Sequence, residues 1–267
     1  SREDWEEAIA KGYNYDGNLG QNEGGGANTS RSSPVQIGSG TDWTGTKDTL
    51  RVNRRTSWAI KTDGTLWGWG NNGVGRLGQN TPGNTWYSSP VQIPGTTWAK
   101  VQGGEDKGAA IKTDGTLWVW GYNTFGELGQ NNTNSGYSSP VQIPGTTWSQ
   151  VNMSQATVGL KTDGTLWMWG DNENGELGQN QASAQLTAVS SPVQVPGTTW
   201  NKVDTGNDHI IATKTDGTLW VWGYNAQKGE LGQNNLTNYS SPVQIPGTSW
   251  TGDFGVGDDT TFVIEVV

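Results

Sequence analysis

The chain runs to 267 residues with a net charge of −9, no cysteine and one histidine. That acidity argues against a surface built for nucleic-acid phosphates. The lack of cysteine excludes disulfide staples and thiol chemistry, and a lone histidine cannot make a His/Cys metal cluster. Glycine (41) and tryptophan (16) are abundant while charged residues make up only 15%, which suits turns and aromatic strands rather than helices. No apolar run is long enough to span a membrane and no signal peptide is visible, so membrane insertion is not expected.

The chain opens in the middle of a repeat. Residues 1–11 hold Trp-Glu-Glu-Ala-Ile-Ala-Lys from Trp5, which suits a short helix or a linker from an upstream segment. Gly12-Tyr13-Asn14-Tyr15-Asp16-Gly17-Asn18-Leu19-Gly20 then matches Gly121 to Gly129 position for position. Glu23 to Ser32 is Gly-rich and expected to be flexible. Leu-Gly-Gln-Asn recurs from Leu19, Leu77, Leu128, Leu177 and Leu231, and Ser-Pro-Val-Gln recurs around Pro34, Pro90, Pro140, Pro192 and Pro242. The proline spacings of 56, 50, 52 and 50 residues lie in the range of a four-stranded propeller blade.

Lys-Thr-Asp-Gly-Thr-Leu-Trp begins at Lys61, Lys112, Lys161 and Lys214. An Asp-Gly pair between apolar arms predicts a β-hairpin with a two-residue type I′ turn. In the second copy Trp118 and Trp120 share one strand face, and Leu117 and Val119 share the other. Both faces are apolar, so like sheets must cover both, and the paired tryptophans read as packing between blades.

The chain also stops within a repeat, because Gly257 to Glu265 match Gly206 to Lys214. The end supplies the first half of a blade and the beginning supplies the second half. Pairing of these half-repeats would close a ring and leave no open sheet edge. The expected fold is all-β, with residues 1–267 forming a single five-bladed β-propeller of four-stranded antiparallel blades.

The fourth repeat carries Val203, Gly206 and His209, then Asp216, Gly217, Trp222, Gly223, Asn225, Gly229, Leu231 and Gly232. This Val-x-x-Gly-x-x-His and Asp-Gly…Trp-Gly-x-Asn…Gly-x-Leu-Gly pattern resembles the regulator of chromosome condensation repeat family over nearly the whole chain. The resemblance implies a β-propeller of four-stranded blades. The family includes an exchange factor for a small GTPase, a plant ultraviolet photoreceptor, a bacterial β-lactamase inhibitor, and bacterial and phage surface proteins, so it leaves the function open. Well-known members have seven blades where this chain reads as five. Lys107, Thr56 and Thr260 stand where the family has histidine. The exchange factor's inserted hairpin and the photoreceptor's Gly-Trp-Arg-His-Thr are absent, so neither activity is expected. The near-identical blades resemble those of phage appendages and bacterial surface proteins most.

Positions alike in every repeat read as scaffold; unlike ones at equivalent sites can carry a specific function. Trp5, Trp58 and Trp86 fall outside the repeated tryptophan positions. Trp86-Tyr87 aligns with the loops of Tyr137 and Tyr239, where an aromatic either meets a glycan or protein or folds back on its own blade. A second variable zone precedes each hairpin. It supplies Arg51, Arg54 and Arg55, then Glu105, Asp106 and Lys107, then Met153 and Gln155, then Asn207, Asp208 and His209, then Asp258 and Asp259. On one face these loops would set a basic sector against acidic ones, suited to a protein partner or else a merely solvated rim. His209 also reads as a structural histidine. Asp171 to Glu176 lacks the calcium-loop pattern, and the repeated Asp63, Asp114, Asp163 and Asp216 are explained by turns. No catalytic constellation, metal site or cofactor is expected.

These residues point to a non-enzymatic recognition or adhesion propeller on a virion appendage or cell surface, binding protein or glycan through its variable loops. The alternatives are a structural decoration or assembly module contacting other subunits of an appendage, and a protein inhibitor or regulator of an enzyme.

Overall fold

The computed structural model describes residues 9–12, 14–23, 30–81, 85–181, 186–258 and 260–265. They divide into two compact units, Ser1–Tyr122 with Ser135–Thr146, and Asn123–Asn134 with Thr147–Val267. The first unit contains β1 (Ile9–Gly12), β2 (Arg31–Gln36), β3 (Leu50–Val52), β4 (Thr56–Ile60), β5 (Leu66–Asn71), β6 (Trp86–Gln92), β7 (Trp98–Gly103), β8 (Lys107–Lys112), β9 (Leu117–Gly121) and β10 (Tyr137–Ile143). The second contains β11 (Trp148–Met153), β12 (Ala156–Lys161), β13 (Leu166–Asp171), β14 (Ala188–Val195), β15 (Trp200–Thr205), β16 (His209–Lys214), β17 (Leu219–Gly223), β18 (Tyr239–Ile245), β19 (Trp250–Val256) and β20 (Thr261–Glu265).

Every full repeat is one four-stranded antiparallel sheet, in the orders β3-β4-β5-β6, β7-β8-β9-β10, β11-β12-β13-β14 and β15-β16-β17-β18. The terminal half-repeats each contribute a two-stranded antiparallel sheet, β1-β2 and β19-β20. Ile9–Gly12 is a strand rather than part of a short helix, and residues 1–8, which hold most of the expected helix or linker, lie outside the described residues. Trp5 lies outside the described residues.

The hairpins differ from the expected turn. Gly115 N donates to Lys112 O (2.9 Å) and Lys112 N donates to Thr116 O (3.0 Å), which closes a three-residue loop. Of Asp114 and Gly115 only the glycine has positive φ, at 77°. A type I turn followed by a left-handed glycine accounts for this. Asp114 prefers it because its Oδ1 can accept both Thr116 N (3.0 Å) and Thr116 Oγ1 (2.7 Å). Thr116 Oγ1 in turn accepts Trp118 Nε1 at 3.0 Å. The adjoining Lys112 holds its ammonium 4.8 Å from the Trp98 ring and 4.4 Å from the Trp118 ring. Lys61, Lys161 and Lys214 repeat this cation–π sandwich in their own sheets.

The second tryptophan of each pair is the buried one. Trp69, Trp120, Trp169 and Trp222 are at most 1% exposed, and the first of each pair is half-buried under its lysine. Trp120 Nε1 donates to Arg76 O (2.8 Å) on the loop of the preceding repeat, and Trp69 does the same to Asn18 O (3.0 Å). Trp169 and Trp222 reach Glu127 O (2.8 Å) and Glu176 O (2.6 Å). The loops themselves are held by buried asparagines. Asn72 Oδ1 accepts Leu77 N at 3.0 Å while its Nδ2 donates to Thr81 O (3.1 Å) and Oγ1 (2.9 Å). These duties explain the constancy of Trp-Gly-x-Asn…Leu-Gly: each residue satisfies a buried polar group that would otherwise be costly.

A loop-end cavity as candidate functional site

In each sheet the turn between the first two strands and the loop after the third strand lie at the same end, because His209 pairs with Gly223 and Lys107 with Gly121. The Asp-Gly hairpins lie at the other end. The loop end therefore gathers the residues in which the repeats differ.

In the first unit this end holds a cavity of about 1050 Å³. Its apolar part comes from Ile37, Leu50 and Val52, and its polar mouth from Tyr15, Asp16, Arg54, Arg55 and Trp86. The loop after β1 reaches β6 because Gly17 lies flat on it. A Cβ at Gly17 would come within 2.8 Å of Ser88 Cα, and φ there is 74°. Asn22 N then donates to Ser88 O at 2.7 Å. That clamp sets Asp16 beside β6, where its Oδ1 accepts Trp86 Nε1 (3.1 Å) and Asn71 Nδ2 (3.2 Å). Across the mouth, Asn53 Oδ1 accepts Arg55 N (3.2 Å), Thr56 N (3.0 Å) and Thr56 Oγ1 (2.6 Å). Asn53 Nδ2 donates to Gly104 O at 2.6 Å, so the turn bearing Arg54 and Arg55 is pinned rather than loose.

The cavity exists partly because β3 is short and uncovered. All three of its residues are exposed, with Leu50 at 41% and Val52 at 60%. The matching Val101 and Gly103 of β7 are buried. The cavity wall contains Asn18, which is 9% exposed and whose buried Oδ1 has no hydrogen-bond partner among the described residues. Its backbone carbonyl accepts Ser57 Oγ and Trp69 Nε1, each at 3.0 Å.

The charges sit closer together than separate sectors would require. Arg54 Nη1 lies 3.8 Å from Glu105 Oε1 with both side chains largely exposed, a pair worth little. Arg76 Nη1 lies 2.6 Å from Asp106 Oδ1, and the Arg76 side chain is 5% exposed. Burial pushes the Arg76 guanidinium down, Asp106 pulls it back up, and Arg55 adds repulsion. Arg55 is half-buried and has no carboxylate in ion-pair range among the described residues. In this unit the basic and acidic loops are thus paired neighbours.

Several sequence candidates turn out to be structural. Trp58 is 0% exposed. It pairs with Gly68 in the strand register, where the other sheets pair Ala109 with Val119, Val158 with Met168 and Ile211 with Val221. The large residue has moved across the pair. A Cβ on Gly68 would meet Trp58 Cδ1 at 2.9 Å and one on Gly103 would meet Trp58 Cζ3 at 2.5 Å, so two glycines make its room. Lys107, Met153 and His209 are buried as well: β8 and β16 are second strands of their sheets and are buried on both faces, and Met153 closes β11 on its buried side. His209 Nε2 and Thr261 Oγ1 are 2.8 Å apart, in keeping with its structural reading. Tyr87 is half-buried against the core, with its hydroxyl 3.1 Å from Thr81 Oγ1.

Of the remaining candidates, Arg54, Arg55 and Trp86 line the cavity. Arg51 and Glu105 are exposed beside them, and Asp106 is half-buried. In the second unit Gln155 Nε2 donates to Asp208 Oδ1 at 2.7 Å, while Asn207 and Asp258 are exposed. Asp259 lies outside the described residues. Tyr15, Asp16, Leu50 and Val52 were missed, although Tyr15-Asp16 stands where other repeats have Gly73-Val74 and Thr124-Phe125 and so was visibly variable. Among the described residues no group of three His, Cys, Asp or Glu could hold a metal ion, and no helix is long and apolar enough to cross a membrane.

Comparison with known proteins places these repeats. The Regulator of chromosome condensation (RCC1) repeat matches residues 63–111, 114–159, 163–213 and 216–264, and a second form of it matches 200–229. Human WBSCR16 is similar in structure, with a TM-score of 0.81 and 21% identity over 98% of this chain and 68% of its own. So is Prp20p of Saccharomyces cerevisiae, studied for its binding to Gsp1p and histones, with a TM-score of 0.72 and 17% identity. That match covers 89% of this chain and 60% of Prp20p. The yeast protein has also been solved bound to Kap60, in a match of TM-score 0.73 and 18% identity over 89% of this chain and 58% of its own. This chain thus spans about three fifths of Prp20p. At these identities the likeness concerns the fold.

Proposed function

The chain belongs to the regulator of chromosome condensation repeat family, and from that premise we propose that it is a non-enzymatic protein-recognition propeller whose loop end makes the contact. One observation carries the reading. The residues repeated from sheet to sheet are spent on internal hydrogen bonds, whereas unlike residues of three separate stretches, Tyr15-Asp16, Arg54-Arg55 and Trp86, converge on one cavity. A rigid scaffold bearing a concave, mixed aromatic and charged mouth is the usual form of a recognition site. Binding of proteins by the similar Prp20p supports a protein partner over a glycan. Display on a virion appendage or cell surface is part of the same proposal and rests on the near-identity of the repeats alone.

A genomic-fragment display library panned on the whole chain tests this. Protein fragments should be retained, and replacing Asn53-Arg54-Arg55 with Gly-Glu-Asp, the equivalent residues of the next repeat, should release them. Retention of the same fragments by the graft, or no fragment at all, would overturn the reading.

A further inference from the structure

We propose that the loop-end cavity of the first unit is a receptor for an acidic peptide. A partner's Asp or Glu pairs with Arg55, flanked by Arg54, and a neighbouring aliphatic or aromatic side chain lies on Leu50, Val52 and Ile37. This rests on the protein-recognition reading above and names the chemistry of the ligand.

Arg55 is the starting point. Among the described residues this half-buried guanidinium has no carboxylate in ion-pair range, and it faces a second cation, Arg76, whose charge is already matched by Asp106. A carboxylate entering at Arg55 would make a charge-assisted hydrogen bond and relieve that repulsion at once. Arg54 is 76% exposed and held only by a long contact to Glu105, so it can swing to the same guest. Asp16, the one carboxylate among the described residues that line the cavity, is already engaged by Trp86 Nε1 and Asn71 Nδ2.

The apolar half of the cavity decides the rest of the ligand. Leu50 and Val52 are open where β7 buries its matching residues, and an aliphatic floor favours an apolar side chain rather than a sugar ring. The volume of about 1050 Å³ accommodates several side chains, not one.

The test pans a random dodecapeptide library on the whole chain and measures the consensus peptide by titration. The expected consensus places Asp or Glu beside Leu, Ile, Phe or Trp, and its binding should weaken as salt rises. Arg55→Glu and Leu50→Asp should each weaken it by about tenfold or more, Arg55→Lys by less, and Arg51→Glu hardly at all. Near-ultraviolet circular dichroism confirms that each variant is folded. A consensus without acidic residues, or one indifferent to Arg55→Glu, overturns the inference. If peptides bind but only substitutions outside the cavity release them, protein recognition stands and this site falls. Binding of carboxylated sugars on a glycan array through Arg55, with no peptide enriched, also overturns it.

Discussion

Trp58 and Trp86 are both tryptophans that break the repeat, and the structure uses them in opposite ways. Trp58 is sealed inside the first full sheet, where Gly68 and Gly103 give up their side chains to admit it. Trp86 stands 49% exposed at a cavity mouth, opening β6 opposite Asn71, with its Nε1 donating to Asp16 Oδ1. A departure from the repeat is therefore no sign of function by itself. The useful question is whether other departures nearby compensate for it, and glycines at paired positions do so for Trp58 alone.

The largest effect should come from breaking that compensation. Trp58→Ala opens a void in a core cluster with Ile60, Leu66 and Trp120 and should cost about 3–5 kcal/mol, read from the urea midpoint. Gly68→Val alone should cost about 1–3 kcal/mol by overpacking against Trp58. Combining the two restores the small–large order of the second sheet's Ala109 and Val119. The double variant should therefore be more stable than the sum of the singles by about 1 kcal/mol or more. Strict additivity would mean that Trp58 and Gly68 do not share space.

A second repeat position sharpens the same contrast. The residue before Leu-Gly is Asn18, Arg76, Glu127, Glu176 or Glu230; the first four are buried and Glu230 is half-buried. At Glu176 burial raises the carboxyl to about 7 from 4.5, partly opposed by hydrogen bonds from Asn174 and aided by Asp171. The folded state then holds a proton that the unfolded chain has lost, so stability falls as pH rises from about 4.5 through about 7. The decline should amount to about 2–3 kcal/mol. Denaturation at pH 5 and pH 8 measures it, and Glu176→Gln should flatten the profile. An unchanged profile in that variant would assign the titration elsewhere.

How much of this the sequence disclosed follows from where the determinants lie. The strands and their order were legible because Trp-x-Trp, Asp-Gly and Leu-Gly-Gln-Asn recur at a fixed period, even where the demand they answer lies in the preceding repeat, as for Trp120 and Arg76 O. The turn type was not, because Thr116, beyond the Asp-Gly pair, tips Asp114 toward a three-residue loop. Trp58's burial was hidden because Gly103 lies on the next sheet. The cavity was half legible: Arg54, Arg55 and Trp86 stood out as unlike their equivalents, but Leu50 and Val52 look like ordinary strand residues until β3 is seen to be uncovered.

The smallest stability effect should belong to Trp86→Ala. Its side chain leaves about half its surface in water, so little apolar burial is lost. The hydrogen bond it gives Asp16 is partly replaced by water and by Asn71 Nδ2, which still donates to the same oxygen. The urea midpoint should move by less than the equivalent of about 1 kcal/mol, well below the Trp58→Ala loss. If Trp86 serves recognition, the same substitution should weaken ligand binding severalfold while the fold is intact. A Trp86→Ala variant as unstable as Trp58→Ala would show instead that this aromatic at the start of β6 is part of the scaffold, and that the two tryptophans differ in exposure but not in duty.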